Sequence, residues 1–335
     1  MKYIICEEPK KFTLKEKEDP SRKKGEVLLK INKIGICGTD LHAYAGNQAF
    51  FTYPRILGHE LASEVLEADS ESKFKKGDKI VIMPYLSCGN CIACKNGKTN
   101  CCQNIRVFGV HTDGGMQEKV ILPESVLMAA PNLTDNEIAI IEPLAIGAHA
   151  LRRASTKKGD TIVVVGCGPI GIGIIKLAQI KGAKVIAIDT NDSRLQYTKE
   201  IIGAEHVVNA TKNPVEKVAE ITNGNLADAV FDATGHKGAL ESGINYMAHG
   251  GSYILVGLSK GDLTFTHPKI HAKETTLLCS RNATREDFQF VIDHIKEFPT
   301  KSFITHEVDF KDMISNFDSW LDPKTGVIKA IVNIV

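Results

Sequence analysis

The chain has 335 residues, of which 43% are hydrophobic and 24% charged, and its formal net charge is +1. That length suits two domains better than one core, and the near-neutral balance excludes bulk attraction to nucleic acid or to a membrane surface. No apolar run reaches the roughly 18 residues of a membrane span, and residues 1–10 turn charged after Tyr3-Ile4-Ile5-Cys6, unlike a secretory signal. A cytoplasmic protein is expected.

Residues 1–145 read as mostly β. Short β-rich runs at 26–36, 61–67, 78–83 and 119–122 are separated by turns such as Lys76-Gly77-Asp78. Between the first two runs lie Cys37-Gly38-Thr39-Asp40-Leu41-His42 and Gly58-His59-Glu60. Together they carry a thiol, an imidazole and a carboxylate, which are zinc-type ligands. Singly, each has a plainer reading: a core cysteine, a satisfied buried histidine, a surface charge.

Next comes Cys88-x2-Cys91-x2-Cys94-x7-Cys102 in a polar stretch with Lys95, Gly97 and Lys98. Nine cysteines, five of them within 88–102, in a long chain without a signal point to a metal rather than to disulfides. Four thiolates close a tetrahedral zinc site and leave no position for substrate, so its role is structural. Cys101 adjoins Cys102, and spacing alone leaves the fourth ligand open.

From about Gly159 the rhythm changes. Strands at 161–165, 184–189, 229–232, 252–256 and 275–278 alternate with helical stretches such as 170–181 and 193–202. That alternation predicts an α/β, doubly wound parallel sheet. Gly166-Cys167-Gly168-Pro169-Ile170-Gly171 is G-x-G-x-x-G between a strand and a helix. Gly166 permits the tight turn, Gly168 lets backbone approach a pyrophosphate, and Gly171 lets helix and strand pack closely. Pro169 and Ile170 open a helix whose free N–H groups face the phosphates. Asp189 ends the next strand, where an acid accepts hydrogen bonds from ribose hydroxyls and repels a 2′-phosphate. That favours NAD, with Arg194 as the counter-indication. Val256, closing a later strand, is a further cofactor contact. After Asn282 two amphipathic helices and a strand at 327–335 are expected.

Gly35-Ile36-Cys37-Gly38-Thr39-Asp40-Leu41-His42, Gly58-His59-Glu60, the cysteine cluster and the glycine motif occur in the order seen in the zinc-containing medium-chain dehydrogenases, and the resemblance runs from about Lys2 to the C-terminus. It implies a GroES-like catalytic domain at 1–145 and 283–335 and a Rossmann NAD-binding domain at 146–282. It implies a catalytic zinc on Cys37 and His59, and a structural zinc on Cys88, Cys91, Cys94 and Cys102. Thr39 and His42 match a relay that carries the alcohol proton to solvent. Glu142-Pro143-Leu144 stands where simple-alcohol dehydrogenases bring a third cysteine. It resembles the sorbitol-dehydrogenase branch, in which the glutamate contacts the zinc-bound water or the polyol; Glu60 is the alternative ligand. Threonine dehydrogenases share Cys-Gly-Thr-Asp but lack this glutamate–proline.

Residues 42–54, Asn100-Cys101-Cys102, Gly109-Val110-His111-Thr112-Asp113-Gly114-Gly115 and Ser280-Arg281-Asn282-Ala283-Thr284 resemble a bacterial subfamily acting on a sugar acid. The implied partner is a small sugar acid or polyol, in a homodimer or homotetramer. Arg281 is the candidate for a substrate carboxylate, with a salt bridge or a cofactor phosphate as the alternative. Phe50, Phe51 and Tyr53 wall the pocket or, more in keeping with aromatic clusters, belong to the core. A non-catalytic NAD-binding sensor is the rival class. It would be expected to lose a ligand or relay residue, whereas Cys37, His59, Thr39 and His42 are all present.

Overall fold

The computed structural model describes residues 1–48 and 51–334, so Phe50 and the last residue of the predicted 327–335 strand lie outside it. The chain divides into two compact units, Met1–Glu142 with Thr300–Val335 and Pro143–Pro299. No described helix is long and apolar enough to cross a membrane.

The first unit is built on a sheet ordered Ile304–Asp309, Lys329–Asn333, Glu26–Ile36, Glu60–Glu67, Lys79–Ile82, Leu127–Ala129, with Lys119–Pro123 also pairing Glu26–Ile36. Alternation along the central strand sends Val27, Leu29 and Ile31 inward. These residues join one apolar core with Ile4, Leu61, Val65, Phe317 and Trp320. A hairpin, Lys2–Glu8 and Lys11–Glu16, precedes it; charges along both strands hide its pattern in the sequence.

The second unit holds six parallel strands in the order His206–Asn209, Lys184–Asp189, Thr161–Val165, Ala227–Asp232, Met247–Leu255, Thr276–Cys279. The order reverses beside Thr161–Val165, the strand that carries the glycine motif, which is where open α/β sheets bind ligands. The helix Ile141–Arg153 starts on Glu142 side and runs into this unit. It lies close against the helix Pro169–Ile180: a Cβ on Gly173 would come 2.9 Å from a Leu144 methyl, and one on Gly147 would come 3.1 Å from the Ile174 nitrogen.

The sequence places the return to the first domain at 283, whereas the compact units divide after Pro299. The helix Arg285–His294 stays with the second unit because Asp287 ties it there. Asp287 caps its own helix, accepting from the Thr284 backbone at 2.8 Å and hydroxyl at 2.9 Å. It also accepts from Arg152 Nε at 2.6 Å and meets His149 Nδ1 at 2.8 Å. The second expected C-terminal helix is instead broken into Thr300–Phe303, Met313–Phe317 and short 3-10 turns.

Burial works to raise the Asp287 carboxyl, but His149, Arg152 and the Thr284 amide hold it well below the usual carboxylate range. A depressed folded value stabilises the fold fully above the unfolded value of about 3.9, and that stabilisation is lost as pH falls below it. Asp287→Ala is therefore expected to cost about 3 kcal/mol near neutrality, measured by urea unfolding. The gap to the unmodified protein should shrink by pH 3.5, and an equal gap at both pH values would remove this clasp from the account.

Candidate metal and dinucleotide sites

Cys37 follows the central strand Glu26–Ile36 and caps the helix Gly38–Tyr44; His59 immediately precedes the strand Glu60–Glu67, which Glu60 opens. The ligand atoms of Cys37, His59 and Glu60 lie within 4.8 Å of one another. His59 and Glu60 are buried. A packed backbone sets their place. Gly58 has φ +92°, and a Cβ on Gly114 would stand 2.4 Å from the Gly58 carbonyl oxygen and 2.4 Å from the Gly109 Cα. Amides of Gly114, Gly115 and Met116 donate to Ile56, Gly58 and Leu57 at 2.8, 2.8 and 2.9 Å. The Gly109–Gly115 segment thus acts as a backing plate for His59 that only glycine permits.

Three residues at this site escape sequence reasoning as site members. Asp40, buried, accepts from the Cys37 amide at 3.0 Å and the Gly58 amide at 3.2 Å, and its Oδ1 stands 3.7 Å from His59 Nδ1. It lies inside the Cys37–His42 motif, which is the sequence signal for it. Tyr85 donates its hydroxyl to Glu142 Oε1. Lys329 donates to Glu60 Oε1 at 2.8 Å and Oε2 at 2.6 Å. Glu142 is buried but is not one of the three mutually adjacent ligand groups.

The electrostatics are those of a crowded anionic pocket. Burial, and then the neighbouring Glu60, raise Glu142 although His59 pulls it down. Burial and Glu142 push the Tyr85 phenol far up. Burial opposes charge on His59, yet Asp40 and Cys37 hold its proton affinity well above that of a free histidine. His59 Nδ1 is buried without a hydrogen-bond partner. A thiol, an imidazole and carboxylates gathered at one buried point fit the donor set of a catalytic zinc, for which three protein ligands would leave a position for substrate. Thr39 and His42 sit three residues apart on the helix Gly38–Tyr44, hence on one face, with His42 exposed.

Cys88, Cys91, Cys94 and Cys102 bring four sulfurs within 4.8 Å of one another. Cys102 is the buried member, whereas Cys101 is exposed and outside the group. Cys102 Sγ accepts from the Cys88 amide at 3.2 Å and the Asn104 amide at 3.3 Å. Backbone amides pull Cys88 down and Cys91 down to about 6, favouring thiolates, while burial pushes Cys94 up to about 11. This set fits a structural zinc.

In the second unit Gly166 has φ +98°, and a Cβ on Gly171 would fall 1.7 Å from the Gly166 carbonyl oxygen, so both positions require glycine. A Cβ on Gly168 would meet nothing within 4 Å, leaving its backbone approachable, and Pro169 and Ile170 begin the helix. Asp189 accepts from the Cys167 amide at 2.7 Å and the Asn191 amide at 2.8 Å, closing the glycine turn; each oxygen keeps a second lone pair. Arg194 is half-buried on the helix Asp192–Glu200. The Val256 amide donates to the Asp232 carbonyl at 2.9 Å. Arg281 is exposed, just past the strand Thr276–Cys279. Phe51 and Tyr53, both half-buried, stack edge to face at 4.9 Å and pack against the first unit's core.

The two ligand sets predict two zinc ions per chain in freshly prepared, unchelated protein. Cys91→Ser should lose one and lower the melting temperature, because structural metal binding contributes folding energy. Gly114→Ala should cost about 1–3 kcal/mol and reduce turnover by displacing His59. Metal analysis and thermal melting check both; one zinc or none in the unmodified protein would contradict the pairing of sites.

Residues 23–132 match the alcohol dehydrogenase GroES-like domain and residues 169–297 match the zinc-binding dehydrogenase family. The chain is 38% identical over 335 residues to the L-galactonate-5-dehydrogenase of Escherichia coli K12, covering 99% of this chain and 98% of that protein. Among solved structures, the alcohol dehydrogenase RspB from E. coli CFT073, complexed with NADH, superimposes with TM-score 0.92 at 28% identity, over 100% of this chain and 99% of that one. The L-idonate 5-dehydrogenase of E. coli K-12 does so with TM-score 0.92 at 26% identity, over 99% and 98%. With both domains matched and a relative aligned end to end, the chain belongs to the zinc-type medium-chain alcohol dehydrogenases, enzymes that act on CH–OH donors.

Proposed function

We propose that this enzyme oxidises a secondary alcohol of a sugar acid with NAD, and that its substrate is L-galactonate, attacked at C5. The full-length 38% identity to an L-galactonate-5-dehydrogenase carries the reading. When bound, the zinc would supply Lewis acidity that lowers the pKa of a substrate hydroxyl, and NAD would take the hydride. The protein's own residues do the rest. Cys37, His59 and Glu60 hold the metal. Glu142, oriented by the Tyr85 hydroxyl, receives a hydrogen bond from the substrate or its water. Thr39 and His42 lead the alcohol proton outward along one helix face to solvent. Gly166, Gly168, Pro169, Ile170 and Gly171 cradle the pyrophosphate, Val256 borders the cofactor, and Asp189 takes the ribose in preference to Arg194 taking a 2′-phosphate.

A neutral polyol is the second reading, favoured by Glu142-Pro143-Leu144. Choosing an acid needs a fixed positive charge, and Arg281 is assigned that role. Assembly as a homodimer or homotetramer is part of the same proposal. The strand Thr276–Cys279 lies at the sheet's edge with Leu277 48% exposed, a surface that a second copy would cover.

Two kinetic tests follow. Asp189→Ser should narrow or reverse a preference for NAD over NADP; an unmodified enzyme with the higher kcat/KM on NADP would contradict the ribose assignment. Arg281→Ala should cost on the order of 2–5 kcal/mol of transition-state stabilisation on L-galactonate and much less on sorbitol. Equal losses on both, with a raised KM for NAD, would reassign Arg281 to the cofactor. Turnover of sorbitol and of no sugar acid would move the substrate to the polyol class.

A further inference from the structure

Glu60 has a partner 269 residues away. The ammonium of Lys329 uses its three donors on three acceptors: Glu60 Oε1 at 2.8 Å, Glu60 Oε2 at 2.6 Å and the Ile36 carbonyl at 3.2 Å. Both residues are essentially inaccessible, at 1% and 0% exposure. They sit on strands that are not neighbours. Lys329–Asn333 and Glu60–Glu67 flank the strand Glu26–Ile36, with Ala330 opposite Ile36 and Glu60 opposite Gly35. The pair therefore meets across the middle strand, at Gly35. A Cβ there would stand 2.3 Å from Glu60 Oε2 and 3.0 Å from the Ala139 carbonyl oxygen, so a side chain would close the gap the carboxylate occupies.

A buried ion pair is weak evidence for stability, because desolvation offsets most of its attraction. Its place is more telling, since one of its members is a candidate ligand and the carbonyl it also holds precedes another, Cys37.

We propose that Lys329 is a positioning residue of the metal centre. By binding both oxygens of Glu60, it restricts this carboxylate to a single-oxygen hold on the metal and so keeps a coordination position for the substrate hydroxyl. Each carboxylate oxygen offers about two lone-pair sites. The lysine takes one from each, which works against a two-oxygen grip. The hydrogen bond to Ile36 lets the same ammonium steady the Cys37 end of the site. Outer partners of this kind orient ligands, and their loss usually costs 10–100-fold in affinity or activity. Gly35 is the second half of the device, because it makes the crossing possible.

The inference rests on Cys37, His59 and Glu60 being the metal centre. Cobalt exchanged into that centre, with zinc kept in the four-cysteine lobe, reports coordination number, since its visible bands are strong with four ligands and weak with five or six. Lys329→Gln, which keeps a hydrogen-bond donor for Glu60, should retain its metal, weaken the cobalt bands and lower kcat about tenfold with KM for NAD unchanged. In a Glu60→Gln background, Lys329→Gln should change the spectrum no further. Cobalt bands of unmodified strength in Lys329→Gln, loss of metal from it, or the same spectral change in the Glu60→Gln background would each overturn the proposal. If Lys329→Gln does not fold, Gly35→Ala carries the same spectral expectation, because its methyl displaces Glu60 from the lysine. Unmodified protein that takes up no metal at Cys37 and His59 would instead remove the underlying reading.

Discussion

Several charged or ionisable groups share one buried corner of the first unit, and the surrounding structure is organised by the need to compensate them. Asp40, Glu60 and Glu142 are all buried beside Cys37 and His59. An unpaired buried carboxylate costs several kcal/mol. Each here has a compensating group: two backbone amides for Asp40, the Lys329 ammonium for Glu60, the Tyr85 hydroxyl for Glu142. Those partners come from the sheet's strands, from the turn at Gly58 and from the entrance to the cysteine lobe. The site is therefore a property of the whole first unit. Even fully paired, the set remains rich in negative charge, which is the environment a dication needs.

Compensation of charge recurs in the second unit with backbone as the partner. Asp189 and Asp232 each end a parallel strand and turn their carboxylates onto following amides. Asp189 closes Cys167 and Asn191, and Asp232 closes Thr234 at 2.9 Å. The carboxylates thereby shape the crevice at the strands' C-terminal ends, where glycines keep backbone close. A Cβ on Gly257 would stand 2.2 Å from the Gly235 nitrogen. Burial raises Asp232, while hydrogen bonds from Thr234 and Gly235 work against that rise.

What was legible in the sequence were features whose partners lie close along the chain or whose spacing encodes a shape. The cysteine lobe, the glycine turn and the change from β runs to alternating strands and helices are of that kind. Partnerships made by sheet register were not. Lys329 reads as a strand lysine, which normally faces solvent, and nothing local to it points to Glu60. Tyr85 meets Glu142 across 57 residues, and His149 meets Asp287 across 138. The late return to the first unit was hidden for the same reason, since the amphipathic pattern of Arg285–His294 does not say which core it faces. Gly109 and Gly114 belong to a recognisable segment, but their purpose, to press backbone against Gly58, lies in a contact some fifty residues away along the chain, which no local pattern encodes.

The cysteine lobe and the buried site are mechanically linked through Tyr85. The lobe hangs between the short paired strands Tyr85–Leu86 and Arg106–Val107, with Tyr85 opposite Val107. The ladder is two residue pairs long, extended by the Phe108 amide donating to the Pro84 carbonyl at 2.8 Å and the Cys88 amide to Cys102 Sγ at 3.2 Å, and a two-stranded piece this short is marginal in water. Four sulfurs gathered on one metal would close the loop at Cys88 and Cys102 and remove the freedom of the segment between. Closure would steady the ladder and with it Tyr85, which donates to Glu142. A metal held by the four cysteines would thus steady the tyrosine whose hydroxyl bonds Glu142, although it would take no part in the chemistry itself.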